Sequence, residues 1–252
     1  MAYQRILVLG GRGGCGRSSL ACGMAAALAL RGKRVVLVDF DLTERSLDMY
    51  LGMESRVVYD LGDLFSHRAT PTEVALRHEK LQNLYLIPGA YRMGQTPSAL
   101  ATERILGAIS GEINCDCLII DGSYGVAGLL APLTDCSLVI TTPDALSIRS
   151  AASVVDLLRE CSMSDSLLVI NKMREQDGRE LRAIIDKVGI PLGGILPYDP
   201  DLALWQERGI PPHKGTGTLF GAASANIAMR LMGAHTPLLE GLSLNRNKWL
   251  GR

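Results

Sequence analysis

Seven short apolar runs recur along the chain, at residues 6–9, 35–38, 84–87, 117–120, 137–141, 167–170 and 194–196. Most are continuously apolar and do not alternate in polarity. A strand with one wet face must alternate, because successive side chains point to opposite sides. A continuous run fits a strand covered on both faces of a parallel sheet. Helix-length segments separate the runs, at 18–31, 47–50, 97–109, 147–160 and 178–188. This order predicts an α/β fold: a doubly wound, mostly parallel sheet of about seven strands with helices on both faces. A chain of 252 residues suits one such domain. Residues 1–236 are expected to form it, with 237–252 as a C-terminal appendage, and no internal repeat or low-complexity linker interrupts it.

The charge balance narrows the partners. Lysine plus arginine and aspartate plus glutamate each number 26, which argues against a broadly basic nucleic-acid surface. The chain runs from Met1 almost directly into the first apolar run, without the pattern of a signal peptide. Its longest apolar stretch, residues 20–30, is far shorter than the roughly 20 residues that span a bilayer. A cytoplasmic protein is expected. The cysteines at 15, 22, 115, 117, 136 and 161 contain no Cys-x-x-Cys pair, so neither a disulfide framework nor a zinc ribbon is indicated. Cys115 and Cys117 would share a face if both lay on a strand, and would then be either a metal-chelating pair or two small core residues. The core reading is favoured, since free cysteine is among the most buried residue types.

Ligands of such a sheet sit beyond the carboxyl ends of its strands. After the first run comes Gly10-Gly11-Arg12-Gly13-Gly14-Cys15-Gly16-Arg17-Ser18-Ser19. Its glycines let successive backbone N–H groups turn inward as an anion nest, at the start of a helix. The Ser18 hydroxyl is placed to ligate Mg²⁺ between terminal phosphates. After the second run come Asp39 and Asp41, which share one side if the segment stays extended. One would hold the Mg²⁺ water shell and the other would orient an attacking water; the alternative is a pair of solvated loop acids. The fourth run delivers Asp121 at a rigid strand tip, as a Walker B carboxylate requires. After the sixth, the amide of Asn171 suits the edge of a purine. After the seventh, Pro197, Tyr198 and Asp199 would form the other wall of a base pocket.

Together these residues resemble the MinD/ParA group of P-loop ATPases, whose loop reads Lys-Gly-Gly-x-Gly-Lys-Thr, and most closely its MinD branch. The likeness extends through Arg45-Ser46-Leu47-Asp48 with Leu51-Gly52-Met53-Glu54, through Thr141-Thr142-Pro143-Asp144, and through Ser147-Ile148-Arg149. In that group two subunits sandwich two ATP molecules with Mg²⁺. Dimerisation controls attachment to membrane or DNA, and hydrolysis to ADP releases it. The resemblance implies Arg12 acting across the dimer and Arg17 along its own nucleotide. Gly11, Gly13, Gly14, Cys15, Gly16, Ser18 and Ser19 would cradle phosphate, and Ser18, Asp39 and Asp121 would serve the metal. Asp41 would orient water, and Asn171 with Pro197, Tyr198 and Asp199 would contact adenine.

Three departures surround the same phosphate. Arg12 and Arg17 replace the two loop lysines, and Gly122-Ser123-Tyr124-Gly125 stands where the group has Ser/Cys-Pro-Ala-Gly. A guanidinium acting across a dimer suits phosphoryl transfer. At position 17 the loop should enclose a compact ammonium, so the longer planar fork must displace phosphate or swing out. ATP or ADP binding is therefore expected with weakened hydrolysis, in a homodimer or in a heterodimer with a MinD relative. The alternatives are a pseudo-ATPase scaffold, a regulator of flagellar number, and a metallochaperone-type relative using Cys115 and Cys117. In the tail, Leu238, Leu239, Leu242, Trp249 and Leu250 cover one helical arc, and basic residues outnumber Glu240. That pattern reads as a peripheral membrane contact or, given Gly241, Asn245 and Asn247, as a tail folded back or without fixed structure.

Overall fold

A computed structural model describes residues 4–41, 44–92, 95–174, 177 and 180–238. Its strands are β1 (Arg5–Gly10), β2 (Val35–Phe40), β3 (Leu76–Arg77), β4 (Leu84–Ile87), β5 (Cys117–Gly122), β6 (Cys136–Thr141), β7 (Ser166–Met173) and β8 (Leu192–Pro197). They form one eight-stranded sheet in the order β3-β4-β2-β5-β1-β6-β7-β8. Among the described residues only the β3–β4 ladder is antiparallel. All seven apolar runs are strands. The eighth strand, β3, has two residues, too few to carry a periodicity.

The continuous runs have a direct cause. Along β1, Ile6 and Val8 belong to one core while Leu7 and Leu9 belong to another on the opposite face. Along β2, Leu37 faces the first core and Val36 and Val38 the second. Both faces are dry, so both must be apolar. Burying each such side chain stabilises the fold by roughly 1.5–3 kcal/mol before chain entropy is subtracted.

The helices are α1 (Arg17–Ala29), α2 (Leu47–Tyr50), α3 (Leu61–Phe65), α4 (Pro71–Val74), α5 (Ala99–Ile113), α6 (Ala127–Leu130), α7 (Ala145–Glu160), α8 (Leu181–Val188), α9 (Leu202–Glu207) and α10 (Leu219–Leu231). Five answer the helix-length segments. The others were not anticipated, and α10 is the longest of those. Its apolar spacing is broken by Gly221, Ser224 and Asn226 because it packs closely on α1. A Cβ on Gly23 of α1 would lie 2.8 Å from the Ser224 hydroxyl.

Two features of the sequence can now be placed. Cys115 precedes β5 and packs on the second core, while Cys117, within β5, belongs to the first. The pair straddles the sheet and shares no face, and among the described residues no cluster of three His, Cys, Asp or Glu could hold a metal. At the other end, the start of the expected appendage is fastened to the domain. The Leu238 carbonyl accepts a hydrogen bond from Ile195 N at 3.0 Å, and Arg230 donates to the carbonyls of Thr236 and Pro237. The amphipathic arc of the tail lies outside the described residues beyond Leu238. No described helix is long and apolar enough to cross a membrane.

Candidate functional site

The parallel register brings the strand ends level. Asp39 pairs with Asp121 and Phe40 with Gly122 between β2 and β5, and Leu9 of β1 pairs with Gly122. From β1 the chain turns through residues 11–16 and enters α1 at Arg17. Glycine is needed there for two different reasons. A Cβ on Gly11 would lie 2.4 Å from the Ser150 backbone of α7, so Gly11 sets how closely the loop meets that helix. Gly16 has φ 97°, a left-handed conformation that costs any other residue strain, and its missing Cβ admits the Asn171 amide.

Beside the loop lies a cleft of about 350 Å³, within the size range of small-molecule sites. Arg12, Gly13, Gly14, Cys15, Gly16, Arg17, Ser18 and Ser19 line one side, and Asn171 with Pro197, Tyr198 and Asp199 lines the other. Gly11 does not face the cleft, because it is turned against α7. Asp39, Asp41 and Asp121 lie beneath the cleft, at 1%, 4% and 0% exposure.

Arg17 covers two of those acids. Its Nε donates to Asp121 Oδ1 at 2.6 Å, and Nη2 donates to Asp41 Oδ2. Burial works against the guanidinium charge, but Asp121 and Asp41 outweigh it and hold its pKa above the ordinary value. Burial likewise pushes the Asp121 carboxyl up, while Arg17 and the nearby Ser18 hydroxyl pull it back. A buried pair of this kind contributes little net stability when intact, yet removing one partner costs roughly 3–5 kcal/mol. Arg17 has therefore swung away from the expected line of the nucleotide, onto the residues expected to serve metal and water.

Asp39 is committed differently. Its Oδ1 accepts from Asp41 N, and its Oδ2 accepts from Ser46 N and Leu47 N at 3.1 and 3.2 Å. Burial, reinforced by Asp121, raises its pKa to about 7 against the pull of those amides. It ties the end of β2 to the start of α2. A buried oxygen does remain available: Asp121 Oδ2 has no hydrogen-bond partner among the described residues. With the Ser18 hydroxyl it fits Mg²⁺ delivered by a nucleotide, since that ion takes one or two carboxylates and completes its shell with phosphate and water. The residues do not form a metal cage of their own.

The end of β7 clamps the loop. Asn171 Nδ2 donates to the Cys15 carbonyl at 2.8 Å, and its Oδ1 accepts from Lys172 N at 2.7 Å. Lys172, at φ 57°, sends Nζ to the Gly14 carbonyl at 2.9 Å. The amide expected at a purine edge is thus tied to the loop, because Gly16 leaves room for it there. Tyr198 is half-exposed, and the Arg174 guanidinium stacks 4.4 Å from its ring centroid. Asp199 accepts from Asp201 N and Phe220 N, joining the wall to α10. Ser19 accepts from Gln206 at 2.6 Å, which brings α9 against α1. At the outer edge, Arg12 lies 3.7 Å from Asp144, whose carboxyl is drawn down to about 2 by the hydroxyls of Thr142 and Ser147.

Lys172, Arg174 and Gln206 were missed in the sequence. Lys172 directly follows Asn171, so the strand tip signalled it. Arg174 and Gln206 carried no local signal, since loop and helix geometry bring them in.

A glycine-rich loop leading into a helix N-terminus beside cations, with a half-open aromatic side chain in the same cleft, suits a phosphorylated ligand that also carries a flat ring. Comparison with known proteins gives the same class of ligand. Residues 6–212 match the family model described as the CobQ/CobB/MinD/ParA nucleotide binding domain. The septum site-determining protein MinD of Synechocystis sp. is 31% identical, over 93% of this chain and 91% of that protein. Its Bacillus subtilis counterpart is 30% identical over the same shares. Among solved structures, the MinC:MinD cell division protein complex of Aquifex aeolicus superposes with a TM-score of 0.86 at 26% identity, covering 94% of this chain and 98% of the other. MinD of Pyrococcus horikoshii complexed with Mg-ADP shares the fold, with a TM-score of 0.76 at 23% identity, 90% of this chain and 95% of that one.

Proposed function

The chain belongs to the CobQ/CobB/MinD/ParA nucleotide-binding family, and on that premise we propose that it is a MinD-like, nucleotide-dependent dimerisation switch that binds ATP with Mg²⁺ and hydrolyses it slowly. Its setting is the positioning of the division site or of another polar structure. The observation that carries this reading is the cleft itself, with the amide nest of residues 13–16 on one side and Tyr198 on the other.

The residues divide the work. Successive loop amides at the N-terminus of α1 receive the phosphates, and the helix dipole favours their charge. Tyr198 offers a face for adenine, and Pro197 closes the wall. Ser18 and Asp121 Oδ2 receive Mg²⁺, which when bound offsets charge on the terminal phosphates. Hydrolysis needs a water held in line with the terminal phosphorus, its proton drawn to a carboxylate as ADP leaves. Asp41 is the residue for that duty, and its Oδ2 accepts from Arg17 instead. Slow turnover follows from the pairing, because the carboxylate must exchange a buried cation for a water.

Arg12 stands at the cleft's outer edge with its side chain 45% exposed, where it can reach a second subunit. The partner is a second copy or a MinD relative. A MinD from Aquifex aeolicus has been solved in complex with MinC, so a MinC-like protein is a natural further partner. Membrane attachment through residues 239–252 belongs to the same proposal. The Arg17 pairing also favours a second reading, a scaffold that binds ATP without turnover.

Light scattering of the full chain with and without ATP tests the switch. The expected result is a mass that doubles with ATP and returns with ADP. An unchanged mass at saturating nucleotide contradicts it, and phosphate release at background alongside doubling selects the scaffold.

A further inference from the structure

We propose that the Arg17 guanidinium is a built-in substitute for the divalent cation, so that this cleft accepts metal-free nucleotide. This inference rests on the nucleotide-binding reading and concerns the regulation of the same site.

The charges set the requirement. A triphosphate brought over Asp41 and Asp121 meets two buried carboxylates, which repel it unless a cation intervenes. Arg17 supplies a permanent positive charge in that position, bonded to Asp121 through Nε and to Asp41 through Nη2. Its side chain is only 13% exposed, so the charge is fixed within the site and weakly screened by solvent. It also borders the cleft, beside Ser18 and Gly16, and so faces whatever binds there.

The geometry also sets a conflict. The oxygen left for Mg²⁺, Asp121 Oδ2, belongs to the same carboxylate whose Oδ1 holds Arg17. A dication arriving at Oδ2 would share one carboxylate with a guanidinium, and the two positive charges repel. Both acids that hold the guanidinium are at least 96% buried, at 4% and 0% exposure, so the pairing is shielded from solvent. Arg17 therefore offsets one of the two negative charges before any metal arrives, and the Mg²⁺ that can still enter at Oδ2 adds little to nucleotide affinity.

Two measurements on the full-length protein test this, with Arg17→Gln and Arg17→Met as neutral variants, each checked for folding by circular dichroism. The first is the affinity for a fluorescent ATP analogue in excess Mg²⁺ and in excess chelator. The wild type should bind with affinities within about threefold of each other, whereas both variants should gain at least about tenfold from Mg²⁺, as expected when the positive charge over Asp41 and Asp121 must come from solution. A tenfold or larger Mg²⁺ dependence in the wild type overturns the inference. The second is binding of Mn²⁺ alone, followed by electron paramagnetic resonance. The variants should take up Mn²⁺ more tightly than the wild type, and equal uptake overturns the inference even if no nucleotide binds. Absence of nucleotide binding in every condition instead refutes the nucleotide-binding reading, so the two failures are separable. If only one variant folds, that variant carries both arms.

Discussion

Asp39 illustrates how much a single buried carboxyl governs here. Its three backbone partners lie within residues 41–47, so it fixes where the chain goes after β2. Its pKa is about 7 in the fold against an ordinary 3.8. Between those values the folded protein holds a proton that the unfolded chain has released. The associated stability is therefore full below about pH 4 and is lost as pH rises through 7. Urea unfolding from pH 4.5 to pH 8 should show this decline in the wild type and a flatter profile in Asp39→Asn. Identical slopes would show that the carboxyl titrates normally. A nearby test concerns Asn171. Asn171→Ala removes the bond to the Cys15 carbonyl and should cost roughly 1–2 kcal/mol in denaturant unfolding. A change below a few tenths would mean that the Gly16 turn holds its shape without the amide.

At the scale of elements, α7 shows capping tied to the site. Asp144 is its N-cap, accepting from Ser147 N, and also faces Arg12. Asp144→Ala should cost about 1 kcal/mol of stability at neutral pH. Because the carboxyl sits near 2 in the fold, its contribution is present above pH 4 and fades as pH falls towards 2. Thermal melts at pH 7 and pH 3 should therefore separate the variant from the wild type more widely at pH 7, and an equal gap would contradict the assignment. The elements also show what the sequence could reveal. Runs such as those of β1 and β5 are apolar on both faces, so burial and parallel pairing could be read directly. The glycines of the loop and Asp121 at its strand tip were legible because their position after a strand has one main use. The helix α10 was not, since small residues chosen for contact with α1 leave no apolar stripe. The sequence offered Arg17 the choice of displacing phosphate or swinging out, and its inward turn onto Asp41 and Asp121 was not legible. Its destination depends on Asp41 and Asp121, which reach it from two other strand ends.

For the whole molecule, the carboxyl ends of the strands carry both the cleft and the surface expected to meet a second subunit. Arg12 is the link, exposed at the rim and paired only loosely with Asp144 at 3.7 Å. Arg12→Ala should leave the nucleotide affinity of the monomer within about threefold, since an exposed charge contributes little, and should weaken the nucleotide-dependent dimer by tenfold or more, roughly, as expected for a phosphate contact made across an interface. Equilibrium sedimentation at several protein concentrations separates the two effects. Equal dimerisation by the wild type and Arg12→Ala would remove Arg12 from the interface.

In the proposed function the cleft keeps its nucleotide while Arg17 restrains turnover. The most direct test is phosphate release from prebound ATP with Mg²⁺ in a single-turnover experiment, comparing the wild type with Arg17→Lys. Both proteins should hold ATP, and Arg17→Lys should release phosphate at least about tenfold faster, because its shorter ammonium frees Asp41 to hold water. If the wild type releases phosphate as fast as Arg17→Lys, the restraint attributed to Arg17 does not exist.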